Sequence, residues 1–205
     1  MNSGNRTSPK SSETLRNLLK SSIMAALTSA LSLITIPLPF SPVPVTGQSL
    51  GVMLAGLSLG PWWGALSMSL YLGIGAFGFP VFSGGRSGFS ALLGPTGGYL
   101  WGFVAGAWVT GFISQLTERL LTHRPGTGSR RMSLTWLFCF LSATIGGIVV
   151  VHLAGVYYLA RVTGRTIHEA FLVGSLPFLI GDFFKAAAGA LVAVRLERFS
   201  RPHRV

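Results

Sequence analysis

Charged residues are scarce in this sequence, and acidic ones are almost absent. Only 10% of the 205 residues are Asp, Glu, Lys or Arg, and just five are acidic, whereas soluble domains carry about 25% charged residues. The mean hydropathy is correspondingly high, at +0.57. This composition excludes an ordinary soluble globular domain and indicates a protein of the lipid bilayer.

Cysteine and phosphate-binding motifs are also lacking. The single cysteine, Cys139, excludes an internal disulfide and a cysteine-based metal cluster, and we expect it to be a small buried apolar residue. No Gly-x-x-x-x-Gly-Lys-Ser/Thr sequence occurs, so the chain has no phosphate-binding loop with which to hydrolyse ATP. We therefore expect no cofactor, no metal site and no enzymatic activity.

Long uncharged runs fill most of the chain. Residues 21–85, 87–117 and 132–160 contain no Asp, Glu, Lys or Arg, and a helix crosses the hydrocarbon core in about 20 residues. Prolines at 37–44 and at Pro61 divide the first run, because proline ends or starts helices. The predicted helices lie at about 17–36, 47–59, 61–79, 87–117 and 132–160, followed by a mixed segment that ends near Arg195.

These runs predict an all-α polytopic membrane protein, a compact bundle of six transmembrane helices. Helices rather than open strands are expected because lipid offers no partner for unpaired backbone groups. The predicted division is an N-terminal tail at 1–16, a six-helix domain at 17–198 and a C-terminal tail at 199–205. The first helix is expected to remain uncleaved, since more membrane segments follow it instead of a hydrophilic domain.

The basic residues predict the orientation. The net charge of +11 would suggest nucleic acid if it formed a patch, but the cations stand in separate clusters at the ends of the apolar runs, so no nucleic-acid partner is expected. Twelve fall on one side: Arg6, Lys10, Arg16, Lys20, Arg119, Arg124, Arg130, Arg131, Arg195, Arg198, Arg201 and Arg204. Three, Arg86, Arg161 and Arg165, fall on the other. The positive-inside rule then places both termini in the cytoplasm.

Two charges lie inside the last apolar segment. Asp182 and Lys185 are three residues apart and so share a helix face. A charge at membrane depth costs a few kcal/mol, so such residues usually face a cavity or a partner. The pair therefore indicates a binding site near the outer side, although a pair that merely neutralises itself is the alternative.

Further polar candidates lie in the predicted outer loops. Arg86 stands in a glycine-rich loop, where the backbone can approach a ligand closely, and Thr46 and Gln48 follow the proline-rich loop. Each signal is weak by itself, because exposed loop cations are common.

Several motifs, in their order along the chain, resemble the BioY family, the biotin-binding membrane subunits of energy-coupling-factor vitamin transporters. They cover about residues 22–195 and are Pro37-Leu38-Pro39, Pro42-Val43-Pro44-Val45-Thr46-Gly47-Gln48, Leu59-Gly60-Pro61, Gly78-Phe79-Pro80-Val81-Phe82, Leu93-Gly94-Pro95-Thr96-Gly97-Gly98-Tyr99-Leu100, His152-Leu153-Ala154-Gly155-Val156, Pro177-Phe178, Gly181-Asp182 and Lys185. One departure is Gly47, where the family often has a bulky residue.

The resemblance implies a biotin-binding S component in the cytoplasmic membrane of a prokaryote. It would work with a transmembrane coupling subunit and ATPase subunits. Asp182 would accept from the ureido N–H groups of biotin and Lys185 would donate to the ureido carbonyl. Thr46, Gln48, Arg86 and Tyr99 would close over the rest of the ligand, with apolar walls from the last three predicted helices.

The first helix carries small residues at a spacing of four. Ser22, Ala26 and Ala30 form one stripe, and Ser21, Ala25 and Ser29 form another. Small residues at this spacing let a second helix approach closely, so the resemblance implies that Ser22, Ala26 and Ala30 contact the coupling subunit. Packing within the chain is the equally weighted alternative.

Other function classes remain open at this point. A membrane enzyme would need a nucleophile–base or metal constellation, yet of the four histidines only His152 lies within a predicted span, with no Glu or second His near it on its helix face. It is predicted to be packed or hydrogen-bonded. A stand-alone biotin transporter, a channel, or an S component for another small vitamin are further alternatives.

Overall fold

The computed structural model describes residues 9–122 and 128–200, and most of them are helical. In chain order the elements are α1 (Pro9–Ser32), β1 (Thr35–Ile36), β2 (Val45–Thr46), α2 (Gln48–Ala76), a 3-10 turn (Ser83–Gly85), α3 (Phe89–Leu93), α4 (Gly97–Thr122), α5 (Gly128–Ala143), a π-helical segment (Thr144–Val150), α6 (Val151–Thr163), α7 (Ile167–Gly174) and α8 (Leu179–Ser200). Of the predicted tails, residues 1–8 and 201–205 lie outside the described residues, whereas 9–16 belong to α1 and 199–200 to α8.

Helix α2 is two helices joined at Gly60. Its backbone there has φ 78° and ψ −175°, a conformation open to glycine, and Pro61 follows. In a straight helix, residues 55 and 64 would be about 13 Å apart along the axis. Here a Cβ on Gly64 would lie only 3.0 Å from the Ala55 carbonyl oxygen. The chain therefore doubles back at Gly60–Pro61, where the sequence predicted a break, and the second half ends at Ala76 rather than at residue 79.

The proline-rich loop holds a short hairpin that the sequence did not predict. β1 and β2 pair antiparallel, with Thr35 opposite Thr46 and Ile36 opposite Val45. The hairpin begins where the first helix was expected to continue, so α1 ends at Ser32 instead of residue 36. The prediction of helix at residues 33–36 was therefore wrong, and the hairpin brings Thr46 back to the start of α2.

Three further boundaries differ from the expected ones. The stretch 87–117, predicted as one helix, is broken by Pro95 into short α3 and long α4. The stretch predicted at 132–160 is α5, the π-helical segment and α6 in unbroken succession. The last segment is α7 and α8, bent by 58° at residues 175–178.

The helices pack closely through glycines. α2 contacts α4 most extensively and α1 next, and Ser21 Oγ donates to the Trp63 carbonyl oxygen at 3.1 Å. A Cβ on Gly56 would overlap α4 at Thr110, and one on Gly146 would overlap the Gly106 carbonyl. Small residues let membrane helices approach in this way.

Within the described residues, two helices are long and apolar enough to cross a membrane by length and composition. They are Gln48–Ala76 and Met132–Thr163, and the bent pair α7 and α8 makes a third if it is counted as one span. A helical membrane protein is thus what the structure and the composition jointly support.

Candidate functional site

The charged pair predicted in the last segment lies at the start of α8. Asp182 is 3% exposed, and its Oδ1 accepts from Lys185 Nζ at 2.8 Å and from Ser49 Oγ at 2.7 Å. Ser49 belongs to the first turn of α2, so these bonds join the beginnings of two helices. The carboxylate is buried but well provided with donors, which is the condition for keeping a charge inside a protein.

Lys185 ties the proline-rich loop to α8. Besides Asp182, its Nζ donates to the Thr46 carbonyl oxygen at 2.6 Å and to Ser49 Oγ at 3.0 Å. An ammonium group has three donors, so protein atoms engage all of them. The lysine therefore fixes the position of the loop as well as balancing the carboxylate.

His152 reaches the same carboxylate from the opposite side. Its Nε2 lies 2.9 Å from Asp182 Oδ2, and its Nδ1 lies 2.7 Å from Ser175 Oγ in the connection between α7 and α8. The sequence predicted a packed or hydrogen-bonded histidine, and the structure shows the hydrogen-bonded one. The structure also shows that the partner of His152 is Asp182, the candidate binding residue.

Thr46 and Gln48 stand at the junction of β2 and α2. Thr46 Oγ1 lies 3.0 Å from Gln48 Oε1 and donates to it, while Gln48 Nε2 donates to the hydroxyl of Tyr71. The Tyr71 hydroxyl donates in turn to the Val81 carbonyl oxygen at 2.9 Å. This chain of bonds connects the proline-rich loop to the loop that follows α2.

Tyr99 contributes its ring to the site but commits its hydroxyl elsewhere. The hydroxyl donates to the Gly174 carbonyl oxygen at 2.5 Å, at the end of α7. The ring packs against Gly155 and meets His152 edge to face, with centroids 5.9 Å apart. Tyr99 therefore braces the bend between α7 and α8.

Arg86 is the one predicted site residue that the structure does not place in the cavity wall. It is exposed, and its guanidinium donates to the carbonyl and hydroxyl oxygens of Ser83 at 3.1 and 2.9 Å. Ser83 does line the cavity, so Arg86 lies at its rim.

These residues surround a cavity that opens to solvent. The lining residues are Val43, Pro44, Thr46, Gln48, Ser49, Phe82, Ser83, Thr96, Tyr99, Leu100, Phe103, Val151, His152, Phe178, Asp182 and Lys185. The apolar lining comes from α4 and α6, from Phe178 just before α8, and from Val43, Pro44 and Phe82 in the two loops; α8 itself supplies the charged residues Asp182 and Lys185.

Sequence reasoning missed Ser49, Ser175 and the role of His152. Serine is common on membrane helices, so neither hydroxyl stood out. For His152 a signal existed, because a titratable residue at membrane depth usually has a partner; the partner Asp182 is 30 residues away and only the fold brings it near.

The two small-residue stripes of α1 face different ways. Ser22, Ala26 and Ala30 are exposed, whereas Ser21 and Ala25 are buried against α2. Packing within the chain thus occupies the second stripe, and the first is turned away from the rest of the molecule.

A buried carboxylate, a lysine and a mostly apolar cavity within packed apolar helices are typical of a small-molecule site in a helical membrane protein. The chain matches the model of the BioY family over residues 5–201, and it belongs to that family.

Named relatives support the assignment. The chain is 46% identical to the biotin transporter BioY of Rhizobium etli over 86% of this chain and 90% of the relative. It is 35% identical to the biotin transporter BioY of Thermotoga maritima, over 90% of this chain and 97% of the relative. It is 37% identical to the biotin transporter BioY of Rhodobacter capsulatus, over 90% of this chain and 94% of the relative.

A solved structure has the same fold. It is the crystal structure, at 2.1 Å, of the S-component for biotin from an ECF-type ABC transporter. The likeness has a TM-score of 0.78 at 28% identity and covers 91% of this chain and 93% of that one.

Proposed function

We propose that the chain captures biotin from outside the cytoplasmic membrane and is the S component of an energy-coupling-factor transporter. Family membership and the names of the relatives support this proposal. The observation that carries it is Asp182, a buried carboxylate at the base of a mostly apolar cavity. Biotin has the matching parts: two ureido N–H donors, an apolar sulfur-containing ring and a carboxylate tail.

The hydrogen bonds within the protein guide how biotin would sit. A ureido N–H would donate to Asp182 Oδ2, which accepts from His152 alone among the described residues. Lys185 would reach the ureido carbonyl only by releasing the Thr46 carbonyl or Ser49, because three protein atoms engage its donors. The rings of Tyr99, Phe103 and Phe178 would cover the sulfur ring.

The carboxylate tail of biotin would lie toward the mouth of the cavity. Thr46, Gln48 and Ser83 are polar residues of the cavity lining, and Arg86, which is exposed, is bonded to Ser83. A guanidinium binds a carboxylate with paired N–H donors, so Arg86 would hold the tail by turning away from Ser83.

Six membrane segments and cytoplasmic termini fit these elements. The segments would be α1, the two halves of α2, α4, the continuous α5–α6 helix, and α7 with α8. The hairpin, the Arg86 loop and the turn after α6 would then share the outer side with the mouth of the cavity. The cytoplasmic membrane of a prokaryote is the expected location, as the named relatives come from bacteria.

The coupling subunit would dock on the exposed stripe of α1, which is Ser22, Ala26 and Ala30. A matched pair of variants tests this: Ala26→Trp should reduce co-purification with coupling and ATPase subunits, whereas Leu153→Trp, at an exposed site on α6, should not. Biotin binding serves as the folding control. Equal co-purification of both variants would exclude this face.

Uptake of labelled biotin by cells that lack their own biotin transporter tests the function. The proposal predicts uptake when the chain is expressed with coupling and ATPase subunits, and a loss of that uptake with an inactive ATPase. Equal uptake by the chain alone would instead support a stand-alone transporter, and no uptake under either condition would refute biotin transport.

A further inference from the structure

Asp182 is held by protein donors in an asymmetric way. Oδ1 accepts from Lys185 and Ser49, whereas His152 Nε2 lies against Oδ2. An ionised carboxylate accepts about four hydrogen bonds, two on each oxygen. Among the described residues three are accounted for, so one acceptor direction on Oδ2 is left for a ligand, and His152 determines where it points.

A second residue fixes the ring of His152. Ser175 Oγ lies 2.7 Å from His152 Nδ1, and it is 1% exposed. Because Asp182 is an acceptor, Nε2 carries a hydrogen in this arrangement, and in the neutral ring Nδ1 accepts from the Ser175 hydroxyl. Two hydrogen bonds at opposite ends of the imidazole thus set both its tautomer and its rotation.

Aromatic rings restrict the same imidazole from its faces and edge. Tyr99 meets it at 90° with centroids 5.9 Å apart, and Phe178 lies at 6.5 Å. Tyr99 is itself bonded to Gly174, next to Ser175. The imidazole therefore has little freedom to rotate, and the bend between α7 and α8 is connected to the carboxylate through it.

We propose that His152, oriented by Ser175, is a positioning residue for ligand recognition. It holds Asp182 Oδ2 so that its remaining acceptor direction faces a ligand N–H. The identity of the ligand as biotin rests on the proposed function, but the arrangement of Ser175, His152 and Asp182 does not.

Three variants distinguish positioning from packing. His152→Leu removes the donor and should weaken biotin binding about tenfold to a hundredfold, as expected when a hydrogen bond to a charged group is lost. His152→Gln keeps an N–H donor and should recover most of that loss. Val156→Ala, one turn along α6, removes a buried side chain that does not line the cavity, so it should lower thermal stability while leaving affinity unchanged.

The biotin titrations have clear adverse outcomes. If His152→Leu binds like the wild type, or if His152→Gln is as weak as His152→Leu, the positioning role is wrong. Should His152→Leu fail to fold, Ser175→Ala provides the same test through the other end of the imidazole, and we expect it to weaken binding about threefold to tenfold. Wild-type affinity in that variant would overturn the proposal.

A spectroscopic readout separates this inference from the proposed function. The ¹⁵N chemical shifts of labelled histidine report the tautomer, and His152→Gln identifies the signal. We expect a hydrogen on Nε2, with chemical shifts that change in Ser175→Ala. A hydrogen on Nδ1 alone would overturn the positioning role even if biotin binds. Failure of the wild type to bind biotin, with the expected tautomer present, would refute only the ligand assignment.

Discussion

At the scale of single residues, the number of available donors and acceptors decides what the site can bind. Lys185 has three donors and three protein acceptors, and one of these is the main-chain oxygen of Thr46. The lysine is therefore a support for the proline-rich loop, and any donation to a ligand involves an exchange with that loop.

Replacing this lysine should affect binding and stability together. Lys185→Met leaves Asp182 without its counterion, and breaking a buried ion pair typically lowers the free energy of unfolding by about 3–5 kcal/mol. Because the side chain of Lys185 is 20% exposed, we expect a loss of stability smaller than this. Biotin titration and thermal unfolding in detergent measure the two effects. Lys20→Met, at an exposed lysine on α1, is the control. An unchanged affinity in Lys185→Met would contradict the role given to this residue.

The sequence predicted much of this site because charge is rare in lipid. Asp182 and Lys185 stood out because a charge at membrane depth is costly. Thr46, Gln48 and Tyr99 stood out because they belong to the motifs that resemble the family. Ser49 and Ser175 could not be found in this way, since a hydroxyl carries little cost on a membrane helix. Arg86 stood out as a cation in a glycine-rich loop, but only the structure shows its guanidinium bonded to Ser83 at the rim.

At the scale of elements, breaks in the helices place the binding groups. The reversal at Gly60 sends the second half of α2 back along the first, and the bend between α7 and α8 puts Ser175 beside His152. Proline and glycine predicted the break at Gly60–Pro61, because they disrupt helical backbone, whereas the bend at residues 175–178 was not predicted. The direction of the chain after each break depends on packing between distant segments, which no local pattern contains.

A pair of glycine variants tests the packing of α4 against α6. A Cβ on Gly155 would overlap the Tyr99 ring, whereas one on Gly181 in α8 has nothing within 4 Å. Gly155→Ala should therefore displace Tyr99 and weaken biotin binding about tenfold, since overpacking costs about 1–3 kcal/mol. Gly181→Ala, next to Asp182, should bind like the wild type. The reverse order of affinities in a titration would contradict this packing.

At the scale of the whole molecule, the distribution of positive charge predicts an orientation and leaves few charges for binding. Arg119 and Arg195 follow the apolar parts of α4 and α8, whereas Arg161 lies near the end of α6 and Arg86 and Arg165 lie in the loops before α3 and α7. On this prediction, the net charge of +11 reflects topology rather than an anionic partner.

Cysteine labelling in intact cells tests that orientation. With Cys139 replaced by Ala, the introduced cysteine of His168→Cys should react with a membrane-impermeant maleimide from outside. Ser11→Cys, exposed near the start of α1, should react only after the cells are permeabilised. The opposite pattern would show that the positive-inside prediction is wrong for this chain.

Titration calorimetry with biotin, on the purified wild-type chain and on Asp182→Asn, tests whether this chain binds biotin through the buried carboxylate of Asp182. We predict saturable one-site binding by the wild type and an affinity at least about a hundredfold weaker in the variant, because a charged acceptor is lost from the base of the cavity. Thermal unfolding of both proteins establishes that they are folded. Wild-type protein without saturable binding would contradict the assignment of biotin as the ligand, and equal affinities in the two proteins would contradict the role of Asp182 in binding it.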